Sequence, residues 1–206
     1  MKNSKPSLKE IIAFAVGDGG CNLVWTTIGS YLTLYYTDSV GLAAAAIGTM
    51  MLLTRFLDGI SDLIMGSILD RTHTRWGKAR PWILWTAIPM GLGLILVFTI
   101  PSGLSGGGKM AWATVTYILM AVVIYTACNL AYNTLLSLEA PDPKDRVLMS
   151  SIRFFLTMAT VLFINYNVTG LVDRFGWTGM SVIFGILAAV LLLITFAGTK
   201  ERTNVE

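Results

Sequence analysis

The chain has 206 residues, of which 54% are hydrophobic and only 13% charged, with a formal net charge of +3. Soluble globular domains carry about 25% charged residues, so this composition excludes an ordinary soluble fold and points to an all-α membrane protein. One histidine and two cysteines, Cys21 and Cys128 inside apolar stretches, offer neither a His-rich metal centre nor a disulfide framework.

Six apolar spans follow one another, at roughly 11–36, 44–69, 81–100, 110–138, 146–172 and 177–198, each near the ~20 residues that cross a bilayer. The first is too long for a signal peptide and contains Asp18. The intervening segments are short, so one transmembrane domain over residues 1–206 is expected. Placed on alternate sides, the loops and termini divide their basic residues unevenly. Eleven lysines and arginines, from Lys2 through Arg71 and Lys78 to Arg202, fall on one side, and only Lys109 and Arg174 on the other. The positive-inside rule then puts both termini in the cytoplasm of a multi-pass cell (inner) membrane protein. That orientation accounts for the basic loops without nucleic-acid binding.

Polar residues inside the spans carry the functional signal. In the first span, Asp18, Asn22 and Trp25 recur at helical spacing on one stripe. Carboxylate, amide and indole together suit a sugar, whose hydroxyls need donors and acceptors and whose C–H face suits an aromatic ring. Gly17, Gly19 and Gly20 read as close helix packing, and Tyr31, Tyr35 and Tyr36 as a membrane-interface belt. In the second span, Arg55, Asp58 and Asp62 share one face at mid-depth, where each charge costs about 2.5–3.5 kcal/mol on insertion scales. Two carboxylates one turn apart suit a hard monovalent cation, and an Arg55–Asp58 pair is the structural alternative. Asp70 and Arg71, at the end of this span, read as a charge latch between helices.

The third span has no mid-span polar group. The fourth carries Tyr125, Thr126, Asn129 and Asn133, readable either as a site or as interhelical hydrogen bonding. The fifth holds Arg153, which needs an acceptor if buried; Asp18 is the expected partner, and snorkelling to the inner face is the alternative. The sixth is again apolar. The order polar, polar, apolar occurs twice, as in the 3+3 inverted repeat of a major-facilitator half-bundle. Asp18, Asp58 and Asp62 against Arg55 and Arg153 leave one net negative charge, which a single Na⁺, Li⁺ or H⁺ would neutralise.

The segments GDGGCNLVW, YLTLYYTDSVGL, RFLDGISDLIMGSILDRT, RWGKARPW, NLAYNTLL and IRFF together resemble the glycoside–pentoside–hexuronide:cation symporters, the melibiose-permease-type branch of the major facilitator superfamily. The resemblance implies a transporter rather than an enzyme, taking up a sugar or glycoside with Na⁺, Li⁺ or H⁺ and using no other cofactor. It implies Asp18 and Arg153 as the sugar-binding acid and base, with Asn22, Trp25 and Tyr125 beside them. Asp58 and Asp62 would be the cation carboxylates, the Na⁺ ligands if that ion is used, with Thr126 and Asn129 nearby. Asn129 stands where the melibiose-permease type has an aspartate, and Asn133 where it has an aromatic or small residue. The family has twelve spans and this chain six, with TKERTNVE resembling the start of the central inner loop. A complementary six-helix half is therefore expected as a partner. A truncated protein that does not transport alone, and a sodium-linked lysolipid transporter on the same scaffold, are the other readings.

Overall fold

Ser7 starts the first helix. Its hydroxyl accepts from the Glu10 backbone N–H, while the Glu10 carboxylate accepts from the Ser7 N–H at 2.7 Å, a reciprocal capping box. The computed structural model describes residues 5–202; Lys2 of the basic set and the last four residues of TKERTNVE lie outside them. Helix α1 runs Leu8–Leu34 and continues through a wider π turn, Tyr35–Ser39. Then come α2 (Ala44–Asp70), α3 (Arg80–Val97), α4 (Gly106–Ile118), a second π turn (Leu119–Tyr125) and α5 (Thr126–Glu139). The last element, α6, spans the 56 residues Pro143–Gly198. Among the described residues the only β pairing is a bridge between Thr74 and Gly77.

Among the described residues, four helical stretches are long and apolar enough to cross a membrane: Leu8–Ser39, Arg80–Val97, Gly106–Glu139 and Pro143–Gly198. Helix α2 matches them in length, but Arg55, Asp58 and Asp62 lower its apolarity. The apolar runs 146–172 and 177–198 share α6, which turns sharply at Gly176 with φ 70° and ψ 175°. Only glycine takes that conformation without penalty, so the single element comprises two helical stretches meeting at a kink.

The core lies where α1 packs along α6, its most extensive partner, with α3 lying against α6 as well. Small residues set these approaches. A Cβ on Gly20 would lie 3.1 Å from the Ala188 carbonyl oxygen, and one on Gly17 would meet the Thr195 side chain. Gly91 of α3 and Gly185 of α6 face each other so closely that a Cβ on either would sit 2.6–2.8 Å from the other's carbonyl oxygen. This is the close backbone packing expected of membrane helices.

The tyrosine belt needs correction. Tyr36 is fully buried and Tyr35 nearly so. Tyr35 sits in an aromatic cluster with Phe98 and Trp177, and its hydroxyl accepts from the Ile100 N–H at 3.1 Å. The π turn that ends α1 faces these rings into the bundle instead of the interface. Tyr31 alone is partly open, donating to Asn165 at 3.0 Å.

At the basic end of the bundle, the chain after α6 ties three helices together. The Glu201 carboxylate accepts from the backbone N–H groups of Lys78, Ala79 and Arg80 at 2.7–2.9 Å. It thus neutralises the exposed donors at the α3 N-terminus. Arg202 pairs with Glu10 at 2.8 Å, and its backbone N–H donates to Leu138 O at 2.9 Å.

Gly91→Ala should lower the thermal unfolding midpoint of the detergent-solubilised protein, because overpacking costs about 1–3 kcal/mol. Gly48→Ala, with open space around its Cβ, should be neutral or stabilising by up to about 1 kcal/mol. Equal midpoints for the two variants would contradict the Gly91–Gly185 contact.

Candidate functional site

Asp18 is 4% exposed in the middle of α1, and both oxygens of its carboxylate are engaged. Oδ1 pairs with Arg153 Nε at 2.9 Å. Oδ2 accepts from Asn22 Nδ2 at 3.0 Å, one turn along α1, and from the Thr157 hydroxyl, one turn along α6 from Arg153. Arg153 is fixed on two further sides. Its Nη1 donates to Asn133 Oδ1 at 3.0 Å, and its guanidinium carbon lies 5.1 Å from the Tyr132 ring centroid. Tyr132 is itself buried, stacked on Phe14 and donating to the Phe14 carbonyl at 2.7 Å. A guanidinium held this way keeps Nη2 available as a donor.

Beside this pair lies a polar cleft of about 250 Å³ lined by Trp25, Asp58, Asp62, Tyr125, Thr126 and Asn129. The Trp25 and Tyr125 rings form one wall, stacked with centroids 4.4 Å apart and planes 21° from parallel. Arg55 rests its guanidinium carbon 5.3 Å from the Trp25 ring centroid and reaches Asp58 Oδ2 at 3.5 Å. No ion pair reaches Asp62 among the described residues. Nor, among them, do three or more His, Cys, Asp or Glu residues gather to hold a metal ion. Two carboxylates with the side-chain oxygens of Thr126 and Asn129 give the cleft an all-oxygen lining of the kind that hard cations prefer.

The second π turn, Leu119–Tyr125, ends exactly where the cleft residues of α5 begin. π turns re-phase a helix and are frequent at functional sites. This one loosens the regular i−4 hydrogen bonding, so Thr126 Oγ1 leans back to Ala121 O at 3.4 Å. The Val122 carbonyl accepts instead from Ser61 of α2. That bond lies between Asp58 and Asp62 in sequence and holds their helix against the re-phased segment.

The sequence-predicted residues therefore fall into two adjoining groups and one remote set. Asp18, Asn22 and Arg153 meet in one network. Trp25 and Tyr125, read as sugar residues, line the same cleft as Asp58, Asp62, Thr126 and Asn129. Asp70 and Arg71 lie apart and exposed: Asp70 pairs at 2.8 Å with Lys78 of the loop between α2 and α3, not between helices. One network member had no individual sequence signal, Thr157, because threonine is common in membrane helices; Asn133, readable either as site or as interhelical bonding, joins the network through Arg153. Cys21 and Cys128 are free and buried, with sulfurs 3.9 Å apart.

A charged pair deep in a bundle beside a two-carboxylate cleft is the arrangement of a membrane transporter. The chain belongs to the MFS/sugar transport protein family, whose model matches residues 13–206. It is a multi-pass membrane protein of a transporter family. It is 37% identical over 98% of its length to the isoprimeverose transporter of Lactiplantibacillus pentosus. It is also 39% identical over 97% to the putative glycoside/cation symporter YagG, and 37% identical over 99% to the inner membrane symporter YicJ, both of Escherichia coli K12. These matches cover 44%, 45% and 45% of the relatives, so the chain spans about half their length. The resemblance to glycoside/cation symporters is borne out.

Removing one partner of a buried ion pair costs about 3–5 kcal/mol, because the other charge is left unpaired. Asp18→Asn should therefore destabilise the protein more than the double variant Asp18→Asn with Arg153→Gln. Chemical unfolding in detergent measures this, and additive effects of the two changes would contradict the pairing.

Proposed function

We propose that this chain is the amino-terminal half of a cation-coupled glycoside symporter of the inner membrane, with both termini cytoplasmic. The kink at Gly176 divides α6 into a fifth and a sixth span, and the six spans form the 3+3 inverted repeat of a major-facilitator half. Asp18 and Arg153 take the sugar, Asn22 orients Asp18, and the stacked Trp25 and Tyr125 cover its apolar face. Asp58 and Asp62, with Thr126 and Asn129, take Na⁺, Li⁺ or H⁺. Arg55 holds Asp58 while the cation site is empty.

One observation carries this reading: the polar network around Asp18 and Arg153 and the carboxylate cleft of Asp58 and Asp62 adjoin each other inside the same bundle. The printed names of the relatives support a glycoside and a coupling cation. Sugar and cation then bind between two halves that rock about them. Because the chain spans about half its relatives' length, a second six-helix half closes the site, and this half alone binds without transporting.

In vesicles containing the full-length transporter, uptake of isoprimeverose, or of another glycoside from a panel, should rise with Na⁺, Li⁺ or acid outside. Asp58→Asn should remove that stimulation, since a neutral amide supplies one oxygen where the carboxylate supplied a charge. Stimulation unchanged in the variant would refute the cation-site assignment.

A further inference from the structure

Resting on that reading, a connection between the two groups of residues can be traced atom by atom. Arg153 Nη1 donates to Asn133 Oδ1 at 3.0 Å, and Asn133 Nδ2 donates to Asn129 Oδ1 at 3.2 Å and to the Asn129 carbonyl at 2.9 Å. Asn129 lines the carboxylate cleft, and Arg153 pairs with Asp18. The polarity of this chain is not free. A guanidinium only donates, so Asn133 must turn its oxygen to Arg153 and its NH₂ to α5. Asn129 must in turn present its oxygen to Asn133, which directs a second lone pair of that same oxygen to any further donor or cation. We propose that Asn133 is the positioning residue that couples the cation cleft to the sugar-binding acid–base pair.

A cation drawn to the Asn129 oxygen competes with, and polarises, the bond from Asn133. Asn133 then holds Arg153 in a direction that depends on whether the cleft is occupied. Asn133 itself is exposed on the open side of α5, so its packing is slight and its hydrogen bonds are its main contribution. Tyr132, the neighbouring residue, holds Arg153 from the buried side and does not reach the cleft.

The charge-bearing variant Asn133→Asp separates the two ends of the link. Its carboxylate still accepts from Arg153 but no longer donates to Asn129, which must flip its amide and withdraw its oxygen. The readout is the ratio of isoprimeverose dissociation constants without and with saturating Na⁺, Li⁺ or acid, by calorimetry on the full-length transporter. A panel glycoside replaces isoprimeverose if it binds better. Coupling between sites commonly amounts to about 5–150-fold. The wild type should show a ratio in this range. Asn133→Asp should bring it to within about twofold of one. Asn133→Leu, which serves equally if the aspartate variant does not fold, should lose the ratio and also weaken cation-free binding. Asn133→Gln, retaining donor and acceptor, should recover part of it. A wild-type ratio in either the aspartate or the leucine variant overturns the role of Asn133 and leaves the symporter reading intact. A wild type that binds sugar with no cation effect, or binds no glycoside, overturns both.

Discussion

The ion pair between Asp18 and Arg153 is the constraint around which this bundle is organised. Neither charge is tolerable alone at that depth, so the helices that carry them must meet, and they do so at 2.9 Å. Asn22, Thr157, Asn133 and the Tyr132 ring complete the coordination of the two groups. Well-packed apolar residues would generally stabilise such a position as well as an ion pair does. In the proposed symporter the pair serves binding. A carboxylate acceptor and a fixed fork of donors, side by side, match adjacent hydroxyls on a sugar ring.

The second organising device is backbone geometry. The π turn at Leu119–Tyr125 re-phases the helix so that Tyr125, Thr126 and Asn129 face one cleft while Asn133 reaches Arg153. The Val122 carbonyl accepts from Ser61 of α2, which joins the helix of Asp58 and Asp62 to the same segment. Close glycine contacts between α1 and α6 and between α3 and α6 supply the rigid support. The flexible demand falls on the open side, where Asp62 has no ion-pair partner among the described residues.

Much of this was legible in the sequence, because a charge within an apolar span is a rare and expensive event. Asp18, Arg153, Asp58 and Asp62 stood out for that reason alone, and the partnership of Asp18 with Arg153 follows from their need for each other. Glycines at positions 17, 19 and 20 were readable as packing for the same reason that small residues recur at membrane crossings. The π turns were not legible, since LMAVVIY reads as ordinary apolar helix. Nor does YYTDS show in sequence that Tyr35 and Tyr36 are buried in the bundle and not set in an interface belt. Nor could the sequence divide the cleft: the stacking of Trp25 on Tyr125, with Arg55 over the same indole, is a tertiary contact that places these rings with the cation residues. Thr157 and the amide link through Asn133 share this character, each depending on which neighbour a common polar residue happens to meet.

In the proposed symporter Asp18, Asp58 and Asp62 against Arg55 and Arg153 form one site with a single negative charge in excess. Equilibrium binding of radioactive Na⁺ to the full-length transporter, at saturating glycoside and at neutral pH, tests it most directly, with proton release measured in the same sample. The account requires one cation bound, or one proton exchanged for it, per sugar bound. Saturating sugar binding with neither a cation taken up nor a proton exchanged would contradict it.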